Sequence, residues 1–443
     1  MANLLSAAPG FSITMVNGQV LAEQHINTPY HLQCIQSHPY LIRGLRCVAN
    51  TPNQLEFLGS LLAQQMPCLD TLDITMQQST DPESVCLVGP ILDLSTARFM
   101  AVKTLRSDGM AVNMAAPFLC GLRHLTLKNY PGIERYLPLS QFVDMIANFR
   151  LLETLELRNY SGFLITKTTQ PWNPVHLRSL KTLIISDTPS VTSSLLQALY
   201  LPVDVNLNVI VDVKGFYPND LGDIFASALP ADRQTLPVLK DVKAIQVILI
   251  GSTLRLIGTT AKSVKIVLEI DFDLEFTLEL LARHHVYDAT VRNLDRIFHD
   301  SPALLLSLES DLTCLTADSW RAAFAPFPDL EKLKLEDAGT HSAGALSLLD
   351  VLGSPAGTPA QMPCPKLDTL SARGTAYGFE LLDESLACLT RRQTTCIALK
   401  RLWLGLDPKV QDDNARLQVC RKNLVQLADT YNDQFMICQP ISS

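Results

Sequence analysis

One stretch is written twice: LCGLRHLTLKNYPG at 119–132 and FRLLETLELRNYSG at 149–162. Aligned on Leu122 and Leu152, both read L-x-x-L-x-L and then Asn-Tyr-x-Gly. Residues two apart lie on the same side of an extended chain, so the paired leucines describe a short strand with one buried and one outward side. The positional match between the copies describes a repeat, which neither a single sheet nor a single core requires.

Moving outward, the same pattern recurs at Leu69/Leu72/Ile74, Leu180/Leu183/Ile185, Leu330/Leu333/Leu335, Leu367/Leu370/Ala372 and Leu399/Leu402/Leu404. The first residues of the seven copies step by 53, 30, 28, 150, 37 and 32. The step of 53 leaves room for a degenerate copy at Val102/Leu105, and the gap of 150 leaves room for about five more units. Strand-like runs do lie in that gap, at 204–213, 241–250, 263–272 and 303–310. Between the strands come stretches with helical spacing of apolar residues. One follows Thr51-Pro52, one follows Pro138 through Leu139, Phe142, Val143 and Ile146, and one follows Pro218. Ala345–Leu352 and Glu380–Arg391 read the same way.

Strand, turn, helix and return at this period predict an α/β fold of a particular kind: an irregular leucine-rich-repeat solenoid, a curved parallel sheet with outer helices, in which each unit is stable only against its neighbours. The expected organisation is a cap or lead-in at 1–37, repeats at 38–202, degenerate repeats at 203–311, further repeats at 312–407, and a capping helix with tail at 408–443. Asp412 and Asp413 suit the start of that last helix, and Leu417, Cys420, Leu424, Leu427 and Tyr431 form its apolar stripe.

Composition narrows the function. A chain of 443 residues with 47% hydrophobic and 18% charged residues folds, and it exceeds the ~250–300 residues at which one core stops growing. The formal net charge of −8 gives no overall attraction to a phosphate backbone, so nucleic acid is not expected as a partner. No run approaches the ~20 apolar residues of a membrane helix, and MANLLSAAPG lacks a signal-peptide pattern, so no membrane partner and a cytoplasmic or nuclear location are expected. Eleven scattered cysteines without a C-x-x-C pair read as reduced thiols, not as a disulfide framework or a zinc site.

No reaction chemistry assembles. GTHSAG at 339–344 has Thr340 where a nucleophile elbow needs Gly, and reads as a turn with a helix start. His284 and His285 are adjacent and so cannot share a helix face as metal ligands. Asp271 and Asp273 read as a solvated strand end, and neither a phosphate-cradling nor a dinucleotide-binding glycine pattern is present. The expectation is therefore no enzyme, no cofactor and no metal.

The copies at 319–337 (SWRAAFAPFPDLEKLKLED), 364–370 (CPKLDTL) and 388–406 (CLTRRQTTCIALKRLWLGL) resemble the leucine-rich-repeat region of fungal F-box substrate receptors. The resemblance implies an array that holds a target protein for a ubiquitin ligase. In that family a separate F-box docks a Skp-type adaptor; the first forty residues here show no such opening, and without one that docking is not implied. Regular repeats of this kind carry Asn or Cys three residues after the last strand leucine, whereas this chain has Tyr130, Tyr160 and Thr188 there. A regular asparagine ladder is accordingly not expected. Two further readings stay open: an enzyme or GTPase regulator on an α/β scaffold, and an adaptor or decoy lacking an effector domain.

If the leucines point inward, the residues between them face outward on the concave side. The candidate partner-binding residues are His124, Lys128, Glu156 and Arg158 in the first group of copies, and Lys332, Lys334, Arg373, Arg401 and Trp403 in the second. Lys128 beside Arg158, and the four cations of the second group, form local basic patches on an acidic chain and suit an acidic protein target.

Overall fold

In the computed structural model the described residues are 12–16, 42–49, 62–63, 65–76, 91–94, 101–113, 120–129, 137–160, 163–164, 173–213, 222–272, 280–354, 363–394, 399–407, 414–431 and 434–438. Tyr130, the expected helix starts after Thr51 and Pro218, and Asp412–Asp413 lie outside them, as does the 1–37 lead-in apart from 12–16. The side chains of Leu427 and Tyr431 also lie outside them. The chain divides into two compact units, Met1–Val209 with Gln234–Leu236, and Ile210–Arg233 with Pro237–Ser443. Both are α/β with mostly parallel strand ladders.

In unit 1, β1 (Ser12–Val16) runs antiparallel to β2 (Gly44–Ala49). From β2 the ladder is parallel and follows chain order through β3 (Thr71–Met76), β4 (Thr104–Asp108), β5 (His124–Lys128), β6 (Thr154–Arg158) and β7 (Thr182–Asp187), and β8 (Asn206–Val211) comes next in the chain. Parallel neighbours need a crossover, and the intervening residues 129–153 carry helix α1 (Leu139–Ile146), which buries Leu139, Phe142, Val143 and Ile146 as its spacing predicts. Helix α2 (Pro189–Ala198) begins with Pro189 in its first turn and buries Leu195 and Leu196.

The register decides where the leucines go. Leu45, Leu72, Leu105, Leu125, Leu155 and Leu183 are successive partners across six strands, and all are buried. Two residues on, Cys47, Ile74, Ser107, Leu127, Leu157 and Ile185 form a second buried column. The degenerate copy at Val102/Leu105 thus takes its place, with Ser107 in the leucine position and its hydroxyl donating to the Met110 carbonyl at 3.3 Å. Ile42/Leu45/Cys47 is an additional copy that the leucine pattern did not reveal.

The strand ends hold a feature that the sequence reading set aside. Gly109, Asn129 and Asn159, each one residue past its strand, adopt φ of 76°, 50° and 49°. This left-handed backbone is open to Gly and tolerated by Asn. Their N–H groups continue the ladder, Asn129 donating to the Arg158 carbonyl at 2.9 Å and Asn159 to the Ser186 carbonyl at 2.6 Å. The side chains then link strand to strand: Asn159 Nδ2 donates to Asn129 Oδ1 at 3.1 Å, and Asn129 Nδ2 to Asp108 Oδ1 at 2.9 Å. A short asparagine ladder therefore exists, two residues after the last leucine instead of three, and exposed instead of buried.

Unit 2 begins its ladder differently. Strands β9 (Val242–Ile250), β10 (Thr253–Thr260) and β11 (Lys265–Asp271) form an antiparallel meander, where the sequence reading expected degenerate parallel repeats. The connections are too short for a crossover: Gly251-Ser252 closes the first hairpin, with Gly251 at φ 58°, and residues 261–264 close the second. From β9 the ladder turns parallel and follows chain order through β12 (Leu305–Ser310), β13 (Lys332–Asp337), β14 (Thr369–Gly374), β15 (Arg401–Gly405) and β16 (Gln434–Cys438). Ile245, Leu306, Leu333, Leu370 and Leu402 make one buried column; Val247, Leu308, Leu335, Ala372 and Leu404 make the other.

The helices of unit 2 pack against its inner side. Helix α3 (Ala317–Phe324) starts with a reciprocal cap, Ser319 N–H donating to Thr316 Oγ1 at 3.3 Å and Thr316 N–H to Ser319 Oγ at 3.1 Å. Its Trp320, fully buried, donates from Nε1 to the Gly344 carbonyl at 3.0 Å. Gly344 lies in helix α4 (Ala343–Gly353), and a β-carbon there would sit 1.9 Å from the Leu312 carbonyl oxygen, so only glycine fits that approach. GTHSAG accordingly forms a turn ending at Ser342 and the start of α4. Helix α5 (Phe379–Thr394) contributes the buried Arg392, whose guanidinium donates to the carbonyls of Leu352, Pro363 and Cys364 at 3.3, 3.4 and 3.1 Å. Helix α6 (Asn414–Tyr431) buries Leu417, Cys420 and Leu424, three of the stripe read from sequence.

The asparagine ladder yields a graded test. Asn159→Gly keeps the left-handed backbone but loses one exposed hydrogen bond, and is expected to lower stability by ~0.5–1 kcal/mol. Asn159→Val adds strain of ~1–2 kcal/mol. Denaturant midpoints should fall in that order, and equal midpoints for the two variants would contradict the backbone assignment.

Candidate functional site

Successive residues of a strand point to opposite sides, so burial of the leucine columns puts the residues between them outward in both units. In unit 1 the outward rows are Thr104, His124, Thr154 and Thr182; Arg106, Thr126, Glu156 and Ile184; and Asp108, Lys128, Arg158 and Ser186. All four unit 1 candidates, His124, Lys128, Glu156 and Arg158, therefore lie on one face of β5 and β6.

Their centre is Glu156. Its Oε1 meets Lys128 Nζ at 3.1 Å and Arg158 Nε at 2.6 Å, and its Oε2 accepts from Thr126 Oγ1 at 3.3 Å. Burial pushes the Glu156 carboxyl up, but the hydrogen bond and charge of Lys128, with the charge of Arg158, outweigh it and hold the group below the usual carboxylate range. His124 Nδ1 lies 3.2 Å from Thr154 Oγ1. The basic patch read from Lys128 and Arg158 is thus compensated, because Glu156 stands between the two cations.

Unit 2 presents a different balance. The outward rows are Leu305, Lys332, Thr369 and Arg401; Ser307, Lys334, Ser371 and Trp403; and Glu309, Glu336, Arg373 and Gly405. Lys334 pairs with Glu336 at 2.5 Å. Lys332, Arg373 and Arg401 are exposed and have no ion-pair partner among the described residues. Trp403 is 37% exposed, so its indole stands on the outward face beside Arg401 and is not sealed beneath a helix. A β-carbon at Gly405 would come within 2.9 Å of Arg373 Cγ, so the Arg373 stem lies close over its register partner on β15.

No protein-family model matches the chain, and no curated protein matches it. The geometry must carry the functional reading.

One group of perturbed acids, phenols and thiols lies at the carboxyl ends of β12 and β13. Asp337 is buried, and burial raises its carboxyl although Leu312 N–H and Gly339 N–H donate to Oδ1 at 3.1 and 2.9 Å. These two bonds fasten the turn after β12 and the turn after β13 to one carboxylate and satisfy both backbone donors. Tyr377, buried nearby, has its phenol pushed up first by that burial and then by Asp337. Burial, then Asp288 and Asp311, push the Cys314 thiol up to about 12, and it is protonated at neutral pH. Burial likewise raises Cys364 to about 12 and Cys388 to about 11. His284 stands 3.8 Å from Asp311, and His285 is exposed. Asp271 accepts from Ser252 Oγ at 3.1 Å at an exposed strand end; Asp273 lies outside the described residues. Among the described residues no group of three or more His, Cys, Asp or Glu is arranged to hold a metal ion, and no helix is long and apolar enough to cross a membrane.

The Glu156 centre predicts a pH signature. A carboxyl whose folded pKa is depressed contributes stability that is present above the unfolded value of ~4.3 and is lost as pH falls through the folded pKa. Glu156→Gln should therefore lower stability by up to ~1 kcal/mol at pH 7, with the difference from the native chain closing as the pH drops below about 4. A difference independent of pH between 7 and 3 would contradict the ion-paired geometry.

Proposed function

We propose that this chain is a non-catalytic protein-binding array of irregular leucine-rich repeats whose outward strand faces hold a target protein. The observation that carries the reading is the division between columns and rows. In each unit the described strands set their leucine-position residues in buried columns, Ser107 among them, while the rows between carry His, Thr, Lys, Arg, Glu and Trp. A set of faces built this way varies its surface without touching its core, as repeat arrays that bind proteins do.

The unit 2 face is the stronger docking surface. It offers three open cations and an exposed tryptophan on β13–β15, and Trp and Arg are favoured anchors in protein interfaces. An acidic target segment suits it, because Lys332, Arg373 and Arg401 have no ion-pair partner among the described residues, whereas Lys334 meets Glu336 and Glu156 satisfies the cations of unit 1. The likeness of 319–337 and 364–406 to the repeat regions of fungal F-box receptors supports extending the proposal to target recognition for a ubiquitin ligase.

The test is selection of ligands for the intact chain from a displayed peptide library, followed by affinity measurement on Trp403→Ala/Arg401→Ala. The double variant should lose over ~2 kcal/mol, about 30-fold, while keeping its thermal transition. Equal affinity would remove the unit 2 face from the assignment.

A further inference from the structure

A third set of positions in unit 1 belongs neither to the buried columns nor to the outward rows. The residue after the first apolar position of each copy sits just before its strand, and backbone hydrogen bonds tie these residues into a line. Asp70 N–H donates to the Arg43 carbonyl at 2.8 Å, Lys103 to Asp70 at 2.8 Å, Arg123 to Lys103 at 2.8 Å, Glu153 to Arg123 at 2.7 Å and Lys181 to Glu153 at 2.8 Å. All four cations of this line are exposed, and both acids are half-buried.

The acids are also occupied. Glu153 takes Arg123 on one oxygen at 2.7 Å and Lys181 on the other at 2.6 Å, while Asp70 accepts from the Thr71 hydroxyl at 3.0 Å. A groove of about 310 Å³ opens beside Arg123, Glu153 and Lys181, and is lined also by Leu151, Arg178 and Asp204. Arg150, next to Leu151, is exposed as well, and its carbonyl accepts from Ser179 Oγ at 2.9 Å. Leu151 is 49% exposed and Val203, adjoining Asp204, 51%, so aliphatic surface and cationic surface meet at one groove.

The fold does not demand this charge. The corresponding line in unit 2 runs Lys243, Leu304, Glu331, Asp368 and Lys400 through the same backbone bonds, with two cations against two acids. In unit 1 the line alone carries four cations, Arg43, Lys103, Arg123 and Lys181, against two acids, Asp70 and Glu153; the groove adds Arg178 against Asp204, and Arg150 stands next to it in the chain. On a chain whose net charge is −8, that excess is local.

We propose that this edge of unit 1 is a second docking surface, distinct from the outward strand faces, which takes an extended acidic segment of a partner protein bearing apolar side chains. From Arg43 to Lys181 is five strand steps, or ~24 Å at ~4.8 Å each, the reach of about seven extended residues. The partner's carboxylates meet cations along the line, and its apolar side chains cover Leu151 and Val203. Protein suits the surface better than nucleic acid, because three carboxylates along the edge oppose a continuous phosphate chain and bare aliphatic side chains contribute nothing to binding one.

The experiment uses the full chain and a fluorescein-labelled peptide of about twelve alternating Glu and Leu residues, with binding followed by anisotropy at low salt. Lys103→Gln/Arg150→Gln/Arg178→Gln removes three exposed cations that have no ion-pair partner among the described residues, and is expected to weaken binding at least ~10-fold and flatten its salt dependence. Leu151→Ser should weaken binding severalfold with the salt dependence unchanged. Lys243→Gln/Lys400→Gln, on the corresponding line of unit 2, should bind as the native chain does, which separates this edge from the same line of unit 2. Three results would overturn the proposal: no binding by the native chain, undiminished binding by the folded triple variant, or displacement of the peptide by an oligothymidylate of similar length at lower concentration than by unlabelled peptide.

Discussion

Everything in this protein depends on parallel strands meeting residue for residue. Once Leu125 lies opposite Leu155 and Leu127 opposite Leu157, a shift of one residue would turn both columns outward and expose them to water. Each fully buried leucine contributes ~1.5–3 kcal/mol relative to exposure, so the register is fixed by many such side chains acting together. The outward rows are then a consequence of the inward ones. Whatever the surface does, it does with the positions that packing leaves free.

That division explains what the sequence made legible. The leucine columns were visible because L-x-x-L-x-L is a local pattern, and the crossover helix at 139–146 because its apolar stripe is local too. The copies at Ile42/Leu45/Cys47 and Val102/Leu105/Ser107 were harder, since Cys47 and Ser107 fill leucine positions without resembling leucine. The meander at 242–271 was read as strands but not as antiparallel. Its direction is set by the lengths of two turns and by Gly251 in a left-handed conformation, not by the apolar content of the strands.

The candidate faces were legible by position and not by charge. Alternation placed Lys128, Glu156 and Arg158 outward, but that Lys128 meets Glu156 depends on the register of two neighbouring strands, and so the patch read as basic is in fact compensated. Trp403 showed the reverse. Its exposure leaves the indole open on the outward face that also carries Lys332, Arg373 and Arg401, which have no ion-pair partner among the described residues. The asparagine ladder escaped because the expected position holds Tyr160, while the working residue is its neighbour Asn159 at positive φ. Only the backbone conformation tells the two positions apart.

The central claim, that adjacent copies are held by columns of side chains in one register, is tested most directly by a double-mutant cycle between Leu125→Ala and Leu155→Ala. Partners in one column should be coupled, so the double variant's loss of stability should differ from the sum of the single losses by at least ~0.5 kcal/mol. Strict additivity, with each single loss in the ~2–5 kcal/mol range of a buried leucine, would contradict the shared column.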